Sequence, residues 1–235
     1  MTAAIACRWC GGDAGEVVLD LGHQPASDHF PLPGSPPAPV HPLRLWLCAS
    51  CGLAQLPDRS PVPDEPRALE PAALVAHARE SVQWALEEQL LVPGTSVREF
   101  GSPHGGSWSR WLTDAGLRLV EEGRADVVVD VFGLMHDADQ RAGLQQRIDA
   151  LAPNGLLVLV FPPLEAVVAQ GQWNAVRHGH HAYPSTAVAA AQLAGCGLTV
   201  VASTLHPLYG GTRLLAARRR PPSDPGVGEH PAVAP

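Results

Sequence analysis

Four cysteines stand in two C-x2-C pairs, Cys7-Arg-Trp-Cys10 and Cys48-Ala-Ser-Cys51, separated by residues 11 to 47. Each pair can offer two sulfurs to one ion from a tight turn, and four thiolates suit tetrahedral zinc. Gly11-Gly12 and Gly52 follow the pairs, where backbone must pass close to sulfur. Four protein ligands leave no open coordination position, so the zinc expected here is structural. Two disulfides are the other use of the same residues. A reducing compartment, which keeps thiolates for metal, favours zinc. The fifth cysteine, Cys196 in Leu-Ala-Gly-Cys-Gly-Leu, is expected to be a small core residue.

Histidines form the second group. His178-Gly-His180-His181 is dense enough to share a metal ion, to supply a general base, or to be a polar loop. No acidic residue adjoins it, which weakens the metal reading. Tyr183 lies two residues beyond. His104 and His136 are expected at strand carboxyl ends, facing one cleft. The stretch Glu99-Phe-Gly101-Ser-Pro-His-Gly105-Gly106 reads Glu-x-Gly-x-x-x-Gly between a strand and a helix. An open α/β sheet binds a nucleotide-like ligand at such a turn, although a bland strand–helix connection looks similar. Glu121 and Glu122 follow Gly101 at the offset of an acid that holds ribose hydroxyls; an exposed turn is the alternative. Arg213 could hold a diphosphate. Gly-x-Ser-x-Gly, Walker and HExxH motifs are absent, which removes support for hydrolase, P-loop and zincin chemistry.

The elements that must carry these residues follow from periodicity. The 235 residues, 46% hydrophobic, suffice for one moderate domain and a small metal-stapled one. Net charge is −7, so no basic nucleic-acid footprint is expected. No run of about 18 apolar residues occurs, and the start lacks a signal pattern; a soluble, cytoplasmic protein with no membrane partner is expected. Residues 1–66 read as the zinc-binding domain, with strands at 17–22 and 43–48 and a Pro-rich linker from Asp58 to Pro71. Residues 67–163 read as a truncated Rossmann-like domain. Its helices are expected at 72–91, 107–115 and 139–151, and its strands at 97–100, 117–120, 125–132 and 156–161. Continuous apolar strands alternating with helices indicate a mostly parallel sheet covered on both faces. Between the strand ending at Val120 and the next at Ala125 there is no room for a crossover helix. Residues 164–217 read as a substrate-type region with a helix capped by Ser185 and strands at 198–202 and 213–217. Residues 218–235 read as a disordered tail.

Several segments occur in an order that resembles the zinc-binding deoxysugar C-methyltransferase family. They are Cys7-Arg-Trp-Cys10-Gly-Gly, Leu19-Asp-Leu-Gly-His-Gln-Pro25, Cys48-Ala-Ser-Cys51-Gly-Leu-Ala-Gln-Leu56, Glu99-Phe-Gly101, Leu151-Ala-Pro-Asn-Gly155-Leu-Leu-Val-Leu-Val-Phe-Pro162 and Trp173-Asn-Ala-Val-Arg-His-Gly-His180-His-Ala-Tyr183. The resemblance implies an N-terminal zinc domain, a central S-adenosylmethionine-binding Rossmann-like domain with Glu99, Gly101 and Gly105 in its turn, and a C-terminal part completing a sugar site. It also implies a small-molecule substrate, a nucleotide-linked keto-sugar, deprotonated beside its ketone and methylated at that carbon. His180 keeps the family's histidine position, with His181 and Tyr183 beside it as candidate catalytic groups. Arg177 replaces a tyrosine and Gly179 a glutamate. The chain is shorter than the family's members, and its adenine-side wall is incomplete. Two alternatives therefore stand beside methylation: enolisation without a methyl donor (epimerase, isomerase or cyclase chemistry), or a non-catalytic partner that docks through the zinc module.

Overall fold

The computed structural model describes residues 5–27, 31–58 and 70–219. Most of the expected linker and all of the tail beyond Arg219 fall outside these residues. Two sheets organise the rest. The first has the order β1-β2-β3-β8: β1 Gly15–Pro25, β2 Val40–Cys48, β3 Ala54–Gln55 and β8 Ala182–Tyr183, each antiparallel to its neighbour. Both long strands run further than their apolar cores suggested, and β2 includes Pro42.

The second sheet has the order β5-β4-β6-β7-β10-β9. Its strands are β4 Ser96–Gly101, β5 Arg118–Leu119, β6 Ala125–Val131, β7 Leu151–Phe161, β9 Leu198–His206 and β10 Thr212–Arg219. The first four are mutually parallel, and β10 runs antiparallel to both β7 and β9. The fold is therefore mixed α/β with a mostly parallel central sheet, as the strand pattern requires. Side-chain alternation divides its core in two. Val127, Val129 and Val131 of β6, with Leu156, Val158 and Val160 of β7, face helices α1 Ala72–Glu87 and α2 Ser109–Asp114. Val128, Leu157, Leu159 and Phe161 face α3 Gln140–Asp149 and α5 Thr186–Gly195. Burial on both faces is why these strands carry almost no polar residue. A further short helix, α4 Leu164–Ala169, follows β7. Among the described residues no helix is long and apolar enough to cross a membrane.

Three boundaries differ from expectation for local reasons. Helix α1 stops at Glu87 and not Leu91. Gln89 takes a left-handed φ of 56°, and the amides of Leu90 and Leu91 fold back onto Ala85 O, which buries both leucines. Pro153-Asn154-Gly155 is a bulge inside β7, since Ala125 pairs Leu151 while Val127 pairs Leu156. Arg218 and Arg219 belong to β10 and not to a tail.

One buried group on α1 makes the fold acid-sensitive. His77 is 1% exposed, with Nε2 3.3 Å from Ser81 Oγ and its ring 4.6 Å from that of His206. His206 in turn meets Glu80 at 2.7 Å. Burial, and then the neighbouring His206, pull the His77 pKa down to about 4, with Glu80 opposing. Between about 4 and its ordinary value the unfolded chain binds a proton that the folded chain does not. Stability therefore falls as pH drops through this window, by roughly 1.4 kcal/mol per unit. Urea melts of His77→Leu between pH 7 and 4.5 should show a shallower loss than the parent; an identical slope would contradict this assignment.

Candidate functional site

The four cysteine sulfurs all lie within 4.8 Å of one another, with Cys7–Cys51 at 3.5 Å and Cys10–Cys48 at 3.6 Å. A tetrahedral Zn–S site places sulfurs about 3.8 Å apart, whereas a disulfide needs about 2.05 Å. The residues fit zinc and not disulfides. The two pairs are built alike. Gly11 N bonds Cys7 O and Gly52 N bonds Cys48 O, both at 2.9 Å, and the two glycines hold φ of 74° and 73°. An L side chain is strained there, so glycine after each pair is a backbone requirement.

The metal module also forms a wall of the second candidate site. β3 pairs with β8, so the segment carrying the late histidines leads directly into a strand of the zinc module's sheet. Arg8, between two zinc ligands, donates to Leu56 O from Nε and Nη2 and to Ala138 O from Nη1. Leu56 N bonds His181 O, and His181 N bonds Met135 O. His178 is buried, its ring nitrogen 3.3 Å from Pro42 O. The region 164–217 is thus divided: β8 joins the first sheet, while β9 and β10 join the second.

The Gly-rich turn lies at the carboxyl end of β4. Glu99 holds it by accepting from Trp108 N at 3.0 Å, Ser107 Oγ at 3.0 Å and Ser109 Oγ at 2.6 Å at the start of α2. Its carboxylate serves the start of α2 as an N-terminal cap. Glu99→Ala should cost about 1–2 kcal/mol, read as a lower urea midpoint; an unchanged midpoint would remove the capping role. Gly105 and Gly106 have φ of 105° and 86°, and Gly101 bridges to Phe132. The turn's amides are already used: His104 N by Ser102 Oγ, Gly105 N by Ser102 O and Gly106 N by Glu70 Oε1. Glu121 and Glu122 lie elsewhere. Leu119 pairs Val97, and Arg98 donates to Gly123 O, so both acids sit near the amino end of β4. The last pair, Leu119 with Val97, lies about 13 Å before Gly101 along β4, at 3.3 Å per residue. β5 is only two residues long and ends opposite Val97, so the 20-residue offset does not carry these acids along a strand to the level of Gly101.

His104, His136 and His180 do converge. They come from the Gly-rich turn, the 3-10 turn Leu134–His136 after β6, and the segment before β8. Ring centroids of His104 and His136, and of His136 and His180, are both 4.8 Å apart; His104 to His180 is 6.3 Å. His136 is oriented by Gly179 O at 3.0 Å from Nδ1, and its Nε2 lies 3.3 Å from Ser102 Oγ. Burial lowers the pKa of all three, His136 to about 4 and His180 well below its ordinary value. Below them a buried pair sets the frame. Asp130 Oδ1 accepts from Gly133 N and Leu134 N, and Oδ2 accepts from Arg147 Nε at 2.8 Å.

The other expected catalytic groups serve differently. Tyr183 is 1% exposed; its hydroxyl accepts from Arg177 N and donates to Arg177 O, and burial pushes its pKa up. It braces the 177–183 loop through both hydrogen bonds to Arg177. His181 lines a separate small recess with Pro42, Arg44 and Asp58. Arg213 bonds Thr186 and Ser203. Sequence reasoning weighed His104 and His136 singly. The common signal was that each follows a strand's carboxyl end. It missed Glu70.

The family model Methyltransf_13, described as "Putative zinc binding domain", matches residues 7–63. No curated protein matches the chain. Among solved structures, the chain is similar to 1,6-didemethyltoxoflavin-N1-methyltransferase of Burkholderia thailandensis, solved with 1,6-didemethyltoxoflavin and S-adenosylhomocysteine. The two share 16% identity over 73% of this chain and 97% of that one, with a TM-score of 0.46. It is also similar to magnesium protoporphyrin IX methyltransferase of Synechocystis, with 14% identity over 63% of this chain and 84% of that one and a TM-score of 0.45.

Proposed function

We propose that this chain is a zinc-stapled methyltransferase-type enzyme that deprotonates a small molecule beside a carbonyl, a nucleotide-linked keto-sugar being the substrate class, and directs methylation to that carbon. The observation that carries the reading is the convergence of three imidazoles at the carboxyl edge of the sheet, one of them, His180, on the segment that the zinc module's sheet holds. The match of residues 7–63 to a zinc-binding domain model named for methyltransferases supports it. A proton on carbon next to a carbonyl is acidic because the resulting electron pair delocalises onto oxygen. The His180 imidazole lone pair takes that proton, the C–H electrons form the enolate, and the carbonyl oxygen gains the charge. His136, oriented by Gly179 O, fixes the floor against which the base works.

S-adenosylmethionine is the methyl donor in this reading, and the residues fit it incompletely. The Gly-rich turn stands in the right place, but its amides are bonded within the protein, Glu70 covers it, and β5, which Glu121 and Glu122 follow, ends opposite Val97 and short of the carboxyl end of β4. No step of the mechanism is therefore routed through it. The same observations favour a second reading, in which the enolate is reprotonated and the reaction is epimerisation or isomerisation.

Calorimetry with S-adenosylmethionine and S-adenosylhomocysteine separates the two: heat from both supports methylation, and none at millimolar ligand leaves the second. Solvent deuterium entering a keto-sugar nucleotide tests the shared step. His180→Ala should slow it by about 10²–10⁴-fold. Wild-type protein that exchanges no deuterium and binds neither cofactor form would overturn both readings in favour of a binding role.

A further inference from the structure

His104, His136 and His180 hold one ligand nitrogen each within 4.8 Å of one another. We propose that these three imidazoles form a second metal site, for a divalent first-row transition ion of the zinc class, separate from the cysteine quartet. The site shares His180 with the reaction proposed above, so a bound ion and proton abstraction by His180 exclude one another, and ion binding is tested by its own readout.

Three features of the cluster argue for it. The first is convergence from three segments: the turn after β4, the 3-10 turn after β6 and the loop before β8. Side chains from three strand ends meeting at one point make a site with its own framework, unlike neighbours on one loop. The second is orientation. Nδ1 of His136 meets Gly179 O at 3.0 Å, which places its proton there and leaves the lone pair on Nε2, which Ser102 Oγ meets at 3.3 Å and would have to release to an ion. A backbone carbonyl behind a ligating histidine is the usual outer partner of a metal-bound imidazole. The third is His180: its Nδ1 is buried and makes no hydrogen bond among the described residues. A buried polar atom without a partner costs stability, and an ion would satisfy it.

Ligand chemistry narrows the ion. Three neutral nitrogens without a carboxylate or thiolate exclude calcium and magnesium, which take oxygen. Imidazole suits zinc, cobalt, nickel and copper. Metal–nitrogen bonds of about 2.0–2.1 Å in tetrahedral array place nitrogens about 3.4 Å apart. Three protein ligands leave the fourth position for water or a substrate oxygen, unlike the cysteine site. A lone pair given to an ion is unavailable to a proton, so the ion-loaded site cannot use His180 as a base.

The test uses untagged full-length protein carrying one equivalent of zinc, titrated with Co2+ and followed by its visible d–d absorption, with total metal by plasma mass spectrometry. The expected result is one further equivalent bound, with nitrogen-type bands distinct from those of a thiolate site. His104→Ala should weaken this second binding by at least about a hundredfold, beyond what loss of an outer partner costs. Bound zinc should stay at one equivalent, which also reports that the variant has folded. His136→Ala is the second variant, and His23→Ala, on β1, is the surface control. The proposal is overturned if wild-type protein takes up no second equivalent at millimolar Co2+. It is equally overturned if the second equivalent survives both cluster variants or is lost in His23→Ala.

Discussion

Removing the zinc, by chelation or by Cys48→Ser, is expected to unfold the first sheet and release the His178–Tyr183 segment while the second sheet stays folded. The first sheet has little else to hold it. Its interior consists of Cys7, Trp46, Cys48, Leu53 and Ala182, with a neighbouring cluster around Leu43, Leu45, Leu56, Val176 and Tyr183. β1 is exposed along most of its length. Cores of this size need a metal or another crosslink. Zinc binding to such modules contributes on the order of 10–16 kcal/mol of folding free energy. Because β8 pairs with β3 and Leu56 N bonds His181 O, the loss reaches the histidine cluster directly. Amide hydrogen exchange should show protection lost at Leu56 and His181 and kept in β6 and β7. Unchanged protection at His181 after verified zinc loss would sink the coupling.

The second large effect is expected at Arg147. Its guanidinium and the Asp130 carboxylate are 5% and 2% exposed, and their bond is 2.8 Å. Arg147→Leu leaves that carboxylate buried without a cation, at a cost of about 3–5 kcal/mol. The damage is directed, because Asp130 also holds the amides of Gly133 and Leu134, on which His136 is carried. Asp130→Asn combined with Arg147→Leu should recover part of the loss, since the buried charge at 130 is removed while one amide oxygen still accepts; the half-exposed Asp137, which also pairs with Arg147, keeps the recovery partial. Urea denaturation of the singles and the double gives the coupling energy. Strictly additive losses would mean that the pair does not act as a unit.

Much of the scaffold was legible in the sequence because it depends on local pattern. Continuous Val and Leu runs at 125–131 and 156–161 could only be strands covered on both faces. Ser185 as a cap was readable too, and its side chain does accept from Val188 N. Other features were not local. The end of α1 was set by the core's demand for Leu90 and Leu91, which overrode a helical repeat. Tyr183 reads as a catalytic candidate from its neighbours in sequence, whereas the fold buries it and engages its hydroxyl with the backbone of Arg177. Glu121 and Glu122 had the right offset from Gly101, but a two-residue β5 ends far below the carboxyl edge.

The amino-acid sequence alone determined the cysteine quartet, the α/β class and the glycine-rich turn. Each rests on residue type and short spacing: sulfur chemistry, the period of a strand, and backbone that only glycine adopts without strain. Only the tertiary structure decided which histidines meet. His104, His136 and His180 are up to 76 positions apart, and their meeting depends on parallel strand register and on β8 joining the zinc module's sheet. Strand pairing between distant segments carries no local signature, so the cluster appears only once both sheets are assembled.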